Sequence, residues 1–230
     1  MIAVRRSRDR GHANHGWLDS YHSFSFADYH DPAHMGFRSL RVINEDRVAG
    51  GQGFGTHPHR DMEIITYMLE GELAHRDSMG NGRTIKTGQV QGMSAGTGIT
   101  HSEFNALKDK EAHLLQIWIM PNAKNVTPAY GEWNPSGAEK SGWALVASED
   151  GNGHIKIHQD AKLYLAIAEA GKTLDIPIQK GRYGWLQIAK GEAHINGENL
   201  QQGDGVAFSG GDTTSVKMIQ NGELLLFDLA

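Results

Sequence analysis

An internal repeat constrains the fold of this 230-residue chain more than any other feature of its sequence. An Asn-Gly dipeptide, a glycine and a serine recur in the same order and at one constant offset: Asn81-Gly82, Gly88 and Ser94, then Asn196-Gly197, Gly203 and Ser209. The apolar run from Leu114 to Ile119 has a counterpart in the run from Leu224 to Leu229. This shared order predicts two similar units in tandem, joined within residues 121–142.

The 29 glycines lie between short β-branched and aromatic runs, a distribution that is typical of an all-β chain. The predicted strands are Glu63 to Leu69, Leu114 to Met120, Ile155 to His158, Tyr183 to Ala189 and Leu224 to Leu229. Residues 160–170 fit a strand better than a helix. Three dipeptides are predicted to be hairpin turns: Asn81-Gly82, Asn196-Gly197 and Asn221-Gly222.

Charge and composition argue against several classes of protein. The chain has 27 acidic and 22 basic residues and a net charge of −5, so we expect no direct contact with nucleic acid. Four arginines near the start are interpreted as a solvated edge or tail, with a partner or phosphate contact as the alternative: Arg5, Arg6, Arg8 and Arg10. Because the sequence contains neither a run of 18 apolar residues nor a signal peptide, we expect a cytoplasmic protein without a membrane span.

Because the chain has no cysteine, histidines and carboxylates must hold any metal ion. Two segments that follow glycine-rich stretches offer such groups, His57-Pro58-His59 and His101-Ser102-Glu103. Alternate side chains of a strand share a face, so two neighbouring strands could present both pairs to one ion. Pro58 donates no ladder hydrogen bond, which predicts a sheet edge or a strand start. Three imidazoles and one carboxylate suit Fe, Mn, Ni, Cu, Co or Zn.

The other histidines are interpreted as hydrogen-bonded or surface residues: His12, His15, His22, His30, His34, His75, His113, His154, His158 and His194. The tryptophans could line a pocket, but the expected role of each is core packing: Trp17, Trp118, Trp133, Trp143 and Trp185. Neither set adds a ligand to the two histidine segments.

Around those segments the chain resembles the cupin superfamily. The first cupin motif is matched by Gly51, His57, His59 and Glu63. Its closing glycine, Gly71, comes one residue late. The second motif is matched only at its end, by Gly98, His101 and Asn105, and lacks its usual proline.

Within the cupins the sequence is similar to bacterial pirins. Four segments carry this resemblance: Arg10-Gly11-His12, Gly16-Trp17-Leu18, Thr56 to Glu63 and Ser94 to Glu103. It extends from the start of the chain to about Pro121, beyond which only a degenerate second barrel agrees. The resemblance implies a bicupin, two antiparallel jelly-roll β-barrels in tandem, with a metal-binding barrel over residues 1–130 and a barrel without metal over residues 131–230.

The resemblance also implies which carboxylate completes the metal site. Pirin-like proteins use the residue two positions past the third histidine, so the implied ligands are His57, His59, His101 and Glu103. Glu63 is then a strand residue that orients a histidine. In the second unit the repeat offsets place the corresponding positions near Pro177, Gln179, Val216 and Met218, where no ligand set remains.

Bacterial pirin-like proteins resemble quercetin dioxygenases, which cleave a flavonol with O₂ and release carbon monoxide. This likeness implies an enzyme with one divalent transition metal, iron being expected first and Mn, Ni, Co, Cu or Zn being alternatives. Glu103 would be the catalytic residue and accept the hydroxyl proton of the substrate. We expect a monomer that binds a flavonol and O₂. The alternative functions are a metal-containing regulatory protein that acts on a protein partner, with incidental dioxygenase activity, and a carbohydrate-binding cupin.

Overall fold

The computed structural model describes residues 2–213 and 215–230. It is 57% strand and 3% helix, which confirms the predicted all-β class. The described helical segments are one 3₁₀ turn, Ser7–Asp9, and one short α-helix, Ala138–Ser141. Neither is long and apolar enough to cross a membrane.

The strands are numbered β1 to β22 along the chain and form four sheets, two in each half. The large sheet of the first half has the spatial order β12 (Ala129–Trp133), β9 (Val90–Ser94), β6 (Glu63–Glu70), β11 (Ala112–Ile119), β4 (Leu40–Val48), β3 (Leu18–His22) and β2 (Gly11–Asn14). The small sheet of the first half has the order β5 (Gly53–His59), β10 (Ile99–Asn105), β7 (Glu72–Asp77) and β8 (Gly82–Lys86).

The second half repeats this arrangement strand by strand. Its large sheet has the order β1 (Ile2–Arg5), β20 (Gly205–Ser209), β17 (Tyr183–Lys190), β22 (Gly222–Leu229), β15 (Ala161–Ala168), β13 (Ala144–Ser148) and β14 (Ile155–Lys156). Its small sheet has the order β16 (Thr173–Asp175), β21 (Ser215–Met218), β18 (Glu192–Ile195) and β19 (Glu198–Gln201). The strand pairs are antiparallel except for β13 and β14.

These sheets confirm the bicupin fold with one difference. Among the described residues, no strand pairing joins a large sheet to a small one, so the barrels are not closed and each half is an open two-layer sandwich. The predicted strands all occur, as β6, β11, β14, β17 and β22, although β11 ends one residue before Met120 and β14 covers only the first two of the four predicted residues. β15 confirms a strand rather than a helix near residues 160–170.

The hairpin predictions were right in two of three places. Asn196 and Gly197 have φ of 47° and 87°, as a two-residue turn between antiparallel strands requires, and they close β18 on β19. Asn81-Gly82 ends the loop between β7 and β8. The hairpin at Asn221-Gly222 was wrong, because this dipeptide leads from the small sheet into β22, which pairs with β15 and β17 instead.

The two large sheets pack on each other and bury an apolar cluster that draws on both halves. On β11, Leu115 and Ile117 belong to this cluster, whereas Gln116, between them, lines a cavity inside the first half. On β22, Leu225 and Phe227 belong to the same cluster. Since each fully buried side chain of this kind contributes about 1.5–3 kcal/mol, the contact between halves is a major source of stability.

The two halves exchange strands. β1, at the start of the chain, pairs with β20 in the second half, whereas β12 lies across the expected 130/131 division and pairs with β9 in the first half. The limits 1–130 and 131–230 stay a prediction.

The arginines near the start are not a solvated tail, because β1 is a strand within a sheet. Arg5 is buried and donates to the Tyr29 hydroxyl. Arg10 pairs with Glu45, and both of these side chains are over 90% buried. Only Arg8, with 81% of its side chain exposed, fits the expectation of solvation.

Candidate metal centre

Three of the predicted ligands meet where β5 and β10 pair. In this antiparallel register His57 lies opposite His101, and His59 lies opposite Ile99. The ligating nitrogens of the three histidines all lie within 4.8 Å of one another. β5 is the outer strand of the small sheet, which confirms the edge position predicted for Pro58.

A glycine and a bulge set the local path of these strands. A Cβ at Gly53 would lie 2.2 Å from the backbone oxygen of Glu103, so only glycine allows β5 to come this close to β10. The register shifts between His101 and Glu103. The extra residue lies on β5, between Phe54 and His57, whereas β10 pairs with β7 without a shift, so His101 and Glu103 stay on the same buried face of β10.

The nitrogen positions fit a transition metal ion. The Nε2 atoms of His57 and His101 are 3.0 Å apart. Two nitrogens that each lie about 2.1 Å from one ion, at a right angle, are also about 3 Å apart. The Nδ1 atom of His57 donates to the Gly55 carbonyl at 2.8 Å, which leaves the Nε2 lone pair of His57 directed toward the cluster.

The electrostatics of the cluster favour neutral imidazoles, which is the form that binds metals. Burial lowers the pKa of His59 to about 4, and the nearby His57 adds to this shift. Burial likewise lowers the pKa of His101 to about 3, with repulsion from His57 and His59 adding to the effect. The donor set therefore fits a divalent transition metal ion at neutral pH.

Glu103 is placed differently from the histidines. It is buried, and its two carboxylate oxygens accept hydrogen bonds from Gln91 and Gln116, each at 2.9 Å. Burial raises the pKa of Glu103 to about 7, and the Asp46 carboxylate adds to the rise. In the described residues Glu103 groups with His75 and His101 rather than with the three clustered histidines, so its role as fourth ligand stays a proposal.

His75 is the residue of this region that the sequence analysis missed. It was interpreted as an ordinary hydrogen-bonded residue, but it is fully buried, lies opposite Glu103 in the register of β7 and β10, and its ring lies 5.2 Å from that of His101. Its Nδ1 atom has no partner among the described residues. The spacing of His75 and Asp77 along β7 is the same two-residue step as in His57-Pro58-His59, and this was the available signal.

Glu63 orients none of the three clustered histidines. Its carboxylate accepts from the Ser94 hydroxyl at 2.6 Å and contacts Nδ1 of His158, from the second half, at 3.2 Å. Burial raises the pKa of Glu63 against these contacts. The carboxylate of the first cupin motif thus joins the two halves.

A cavity of about 630 Å³ opens beside the histidines, within the range of small-molecule sites. His57, His59 and Glu103 line one part of it, while Trp17 and Trp118 line another. Two of the five tryptophans therefore contribute to a pocket. The core role expected for the others is seen in Trp133 and Trp185, and Trp143 packs at the edge of the second core.

Comparisons with known proteins match both halves of the chain. The family model described as Pirin matches residues 3–119, and the one described as Quercetinase C-terminal cupin domain matches residues 145–229. A quercetin 2,3-dioxygenase of Escherichia coli strain K12 is 48% identical over 230 residues, which is all of this chain and 99% of that protein. A pirin-like protein of Caulobacter vibrioides is 40% identical over 96% of both chains. The expectation of a quercetin dioxygenase-like enzyme is confirmed by these relatives.

Solved structures show the same likeness. The crystal structure of the E. coli bacterial pirin YhhW in complex with nickel(II) has a TM-score of 0.94 and 47% identity, and the match covers 100% of this chain and 99% of that one. A quercetin 2,3-dioxygenase of Acinetobacter baumannii shares the fold at a TM-score of 0.78 and 22% identity, over 98% of this chain and 85% of that one. The chain therefore belongs to the pirin family.

Proposed function

We propose that this protein is a metal-dependent dioxygenase that cleaves a flavonol such as quercetin with O₂ and releases carbon monoxide. The observation that carries the proposal is the cluster of His57, His59 and His101, of which His57 and His59 line a cavity that also presents phenylalanine, tyrosine and tryptophan side chains. The relatives named quercetin 2,3-dioxygenase support the substrate class.

The proposed cofactor is one divalent transition metal ion per chain, held by His57, His59, His101 and Glu103. Iron is our first choice, with Mn, Ni, Co, Cu and Zn as alternatives. When bound, such an ion polarises a substrate oxygen and holds the two reactants close together. The nickel complex of the E. coli pirin supports a site for a divalent ion.

Glu103 is the proposed catalytic residue. It lines the cavity, and a carboxylate with a pKa near 7 can both take and return a proton at neutral pH. Gln91 and Gln116 fix its orientation from two strands of the large sheet. In this position Glu103 accepts the proton of the substrate hydroxyl.

The lining of the cavity favours a neutral aromatic substrate. Trp17, Phe26 and Phe54 offer flat apolar surfaces, and the described lining contains no lysine or arginine. Away from the proposed metal ion, an anionic substrate such as a dicarboxylate would find no lysine or arginine in the described lining and would face the carboxyl group of Asp46.

The test is O₂ consumption and carbon monoxide release with quercetin, measured at matched metal content for the wild type, His101→Ala and Glu103→Ala. We expect carbon monoxide from the wild type and strong losses in both variants. Decay of the flavonol absorption band is insufficient, because free metal ions also oxidise flavonols. If oxygen is consumed without carbon monoxide, or all three proteins behave alike, the regulatory alternative replaces this proposal.

We also propose that the protein acts as a cytoplasmic monomer without direct contact with nucleic acid. The net charge of −5 supports the last point. Size-exclusion chromatography with light scattering tests the monomer, and fractionation of cells tests the location.

A further inference from the structure

A row of polar side chains crosses the inner face of the large sheet of the first half, and the proposed reaction uses only part of it. Register partners on five neighbouring strands form this polar row: His22, Asn44, Gln116, Thr66 and Gln91. At one end Thr66, Gln91 and Gln116 hold the carboxylate of Glu103. At the other end His22 contacts Asn44 through Nδ1 at 2.8 Å.

The second end of the row carries an additional buried carboxylate. Asp46 lies two residues after Asn44 on β4, so the two side chains share a face, and both line the cavity. Only 3% of Asp46 is exposed. One of its oxygens accepts from the Ser20 hydroxyl, while the other, like the Asn44 amide nitrogen, has no hydrogen-bond partner among the described residues.

These free groups define the chemistry of a ligand. A buried carboxylate oxygen without a donor costs stability, and since the described lining contains no lysine or arginine, a ligand can provide the donor for the second oxygen of Asp46. A hydroxyl can donate to Asp46, and a neighbouring hydroxyl oxygen can accept from the amide of Asn44. An aromatic ring with two adjacent hydroxyls provides both groups and matches the aromatic walls at Trp17 and Phe54.

We propose that Asp46 and Asn44 form a subsite that binds the vicinal hydroxyl pair of a catechol ring on the substrate. This rests on the proposed function, since it names the ring of the flavonol that lies away from the histidines. Ser20 is a positioning residue, because its hydroxyl fixes one oxygen of Asp46 and leaves the other for the ligand.

The test compares two flavonols, quercetin, which has the vicinal pair, and galangin, which is identical but lacks both of these hydroxyls. Binding is measured on the protein as purified, under argon, by quenching of tryptophan fluorescence corrected for ligand absorption. Without O₂ there is no turnover, and Trp17 and Trp118 in the wall report occupancy.

We expect the wild type to bind quercetin at least about tenfold more tightly than galangin, as two additional hydrogen bonds allow. Asp46→Asn should reduce this ratio to about twofold or less and leave the affinity for galangin unchanged, which also shows that the variant is folded. Ser20→Ala should give an intermediate ratio. Asp28→Asn is the matched control, because Asp28 lines the same cavity but is exposed, and it should keep the wild-type ratio.

Equal affinity of the wild type for both flavonols overturns the subsite, and so does a ratio that survives in Asp46→Asn. An equal loss of affinity for both ligands in Asp46→Asn also overturns it, because the carboxylate would then contribute to the binding of any flavonol and would not recognise the vicinal hydroxyls. If the wild type binds neither flavonol, the proposed substrate class fails and the subsite fails with it. The first three outcomes leave the dioxygenase proposal intact, so the two failures can be distinguished.

Discussion

The two halves have the same strand order, but the interior of the first is a polar cavity and that of the second is an apolar core. In the first half the polar row meets a cavity and a cluster of histidines, whereas in the second half the corresponding space is filled by buried apolar side chains. The register partners Asn44, Gln116, Thr66 and Gln91 have as counterparts Tyr164, Leu226, Leu186 and Val206, which are paired with one another in the same order on β15, β22, β17 and β20.

The ligand-bearing strands differ in the same way. On β21, the counterpart of β10, the side chains of Val216 and Met218 are fully buried in the second core. β16, the counterpart of β5, is only three residues long and has the apolar Leu174 at its centre. The comparison teaches that a shared backbone can hold either a reactive cavity or a solid core, depending on a few inward positions.

The largest expected effect is the loss of bound metal when one of the histidine ligands in the first half is replaced. His59→Ala should remove nearly all bound metal, because losing a ligand costs more than the 10–100-fold typical of a residue behind a ligand. The metal-free forms of the variant and the wild type should melt at similar temperatures. Elemental analysis after dialysis measures the metal content, with about one ion per chain expected in the wild type. His194→Ala in the second half is the control, and equal metal loss in both variants would refute the single site.

The second prediction compares two reciprocal substitutions at corresponding positions of the two halves, Leu226 and Gln116. Leu226→Gln should lower the free energy of unfolding by about 5 kcal/mol, because it removes a packed side chain and buries an amide without partners. Gln116→Leu should cost only about 1–3 kcal/mol, since it removes one donor to Glu103. Denaturant titration of both variants measures the difference. Similar losses would show that the interiors are less distinct than their side chains indicate.

The third prediction concerns pH. Burial raises the pKa of Asp46 from 3.8 to about 7, so the folded state holds this proton more tightly than the unfolded state. The resulting cost is absent below about pH 4, grows as the pH rises, and is complete above about pH 7. Asp46→Asn should therefore gain stability relative to the wild type between pH 4 and 8, by up to about 4 kcal/mol.

Thermal melts of the two proteins at each pH, after metal removal, measure this gain. Asp150→Asn in the second half is the control, because hydrogen bonding to Ser148 lowers the pKa of Asp150 and the carboxylate is exposed. A stability difference between Asp46→Asn and the wild type that does not change with pH would contradict the prediction.

The smallest expected effect concerns the contact between halves. Glu63→Gln should change stability by about 1 kcal/mol, because the amide oxygen can still accept from Ser94 and the substitution also removes a buried charge. It should leave the metal content unchanged, whereas Glu103→Gln should lower it. Metal analysis and melting curves of both variants test this, and the reverse order would make Glu63 the fourth ligand.

The sequence made the histidine cluster predictable because its signal is local. A two-residue step and a preceding glycine stretch place His57 and His59 on one face without knowledge of distant strands. The polar row has no such signal, since His22 and Gln91 lie far apart in the chain and meet the same wall only through the register of the strands between them. His75 has a local signal in its two-residue step to Asp77, but its position opposite Glu103 on a neighbouring strand follows only from the strand register.

The assignment of strands to sheets was also not predictable from the local sequence. The repeat predicted two units, but it carried no information on which sheet β1 would join, and so the arginines in and after β1 were interpreted as a solvated edge or tail. The turn signal at Asn221-Gly222 was equally ambiguous, because a tight turn can end one sheet as well as close a hairpin. The open edges between sheets depend on strand lengths that composition does not determine.

The exchange of β1 and β12 has a consequence for how the chain is made. β1 is synthesised before the other described strands, but the backbone groups it pairs with belong to β20, residues 205–209. The first half, in contrast, has all its strands once residue 133 has emerged. A growing chain can therefore assemble the strands of the first half early, while β1 stays unpaired until β20 has been synthesised.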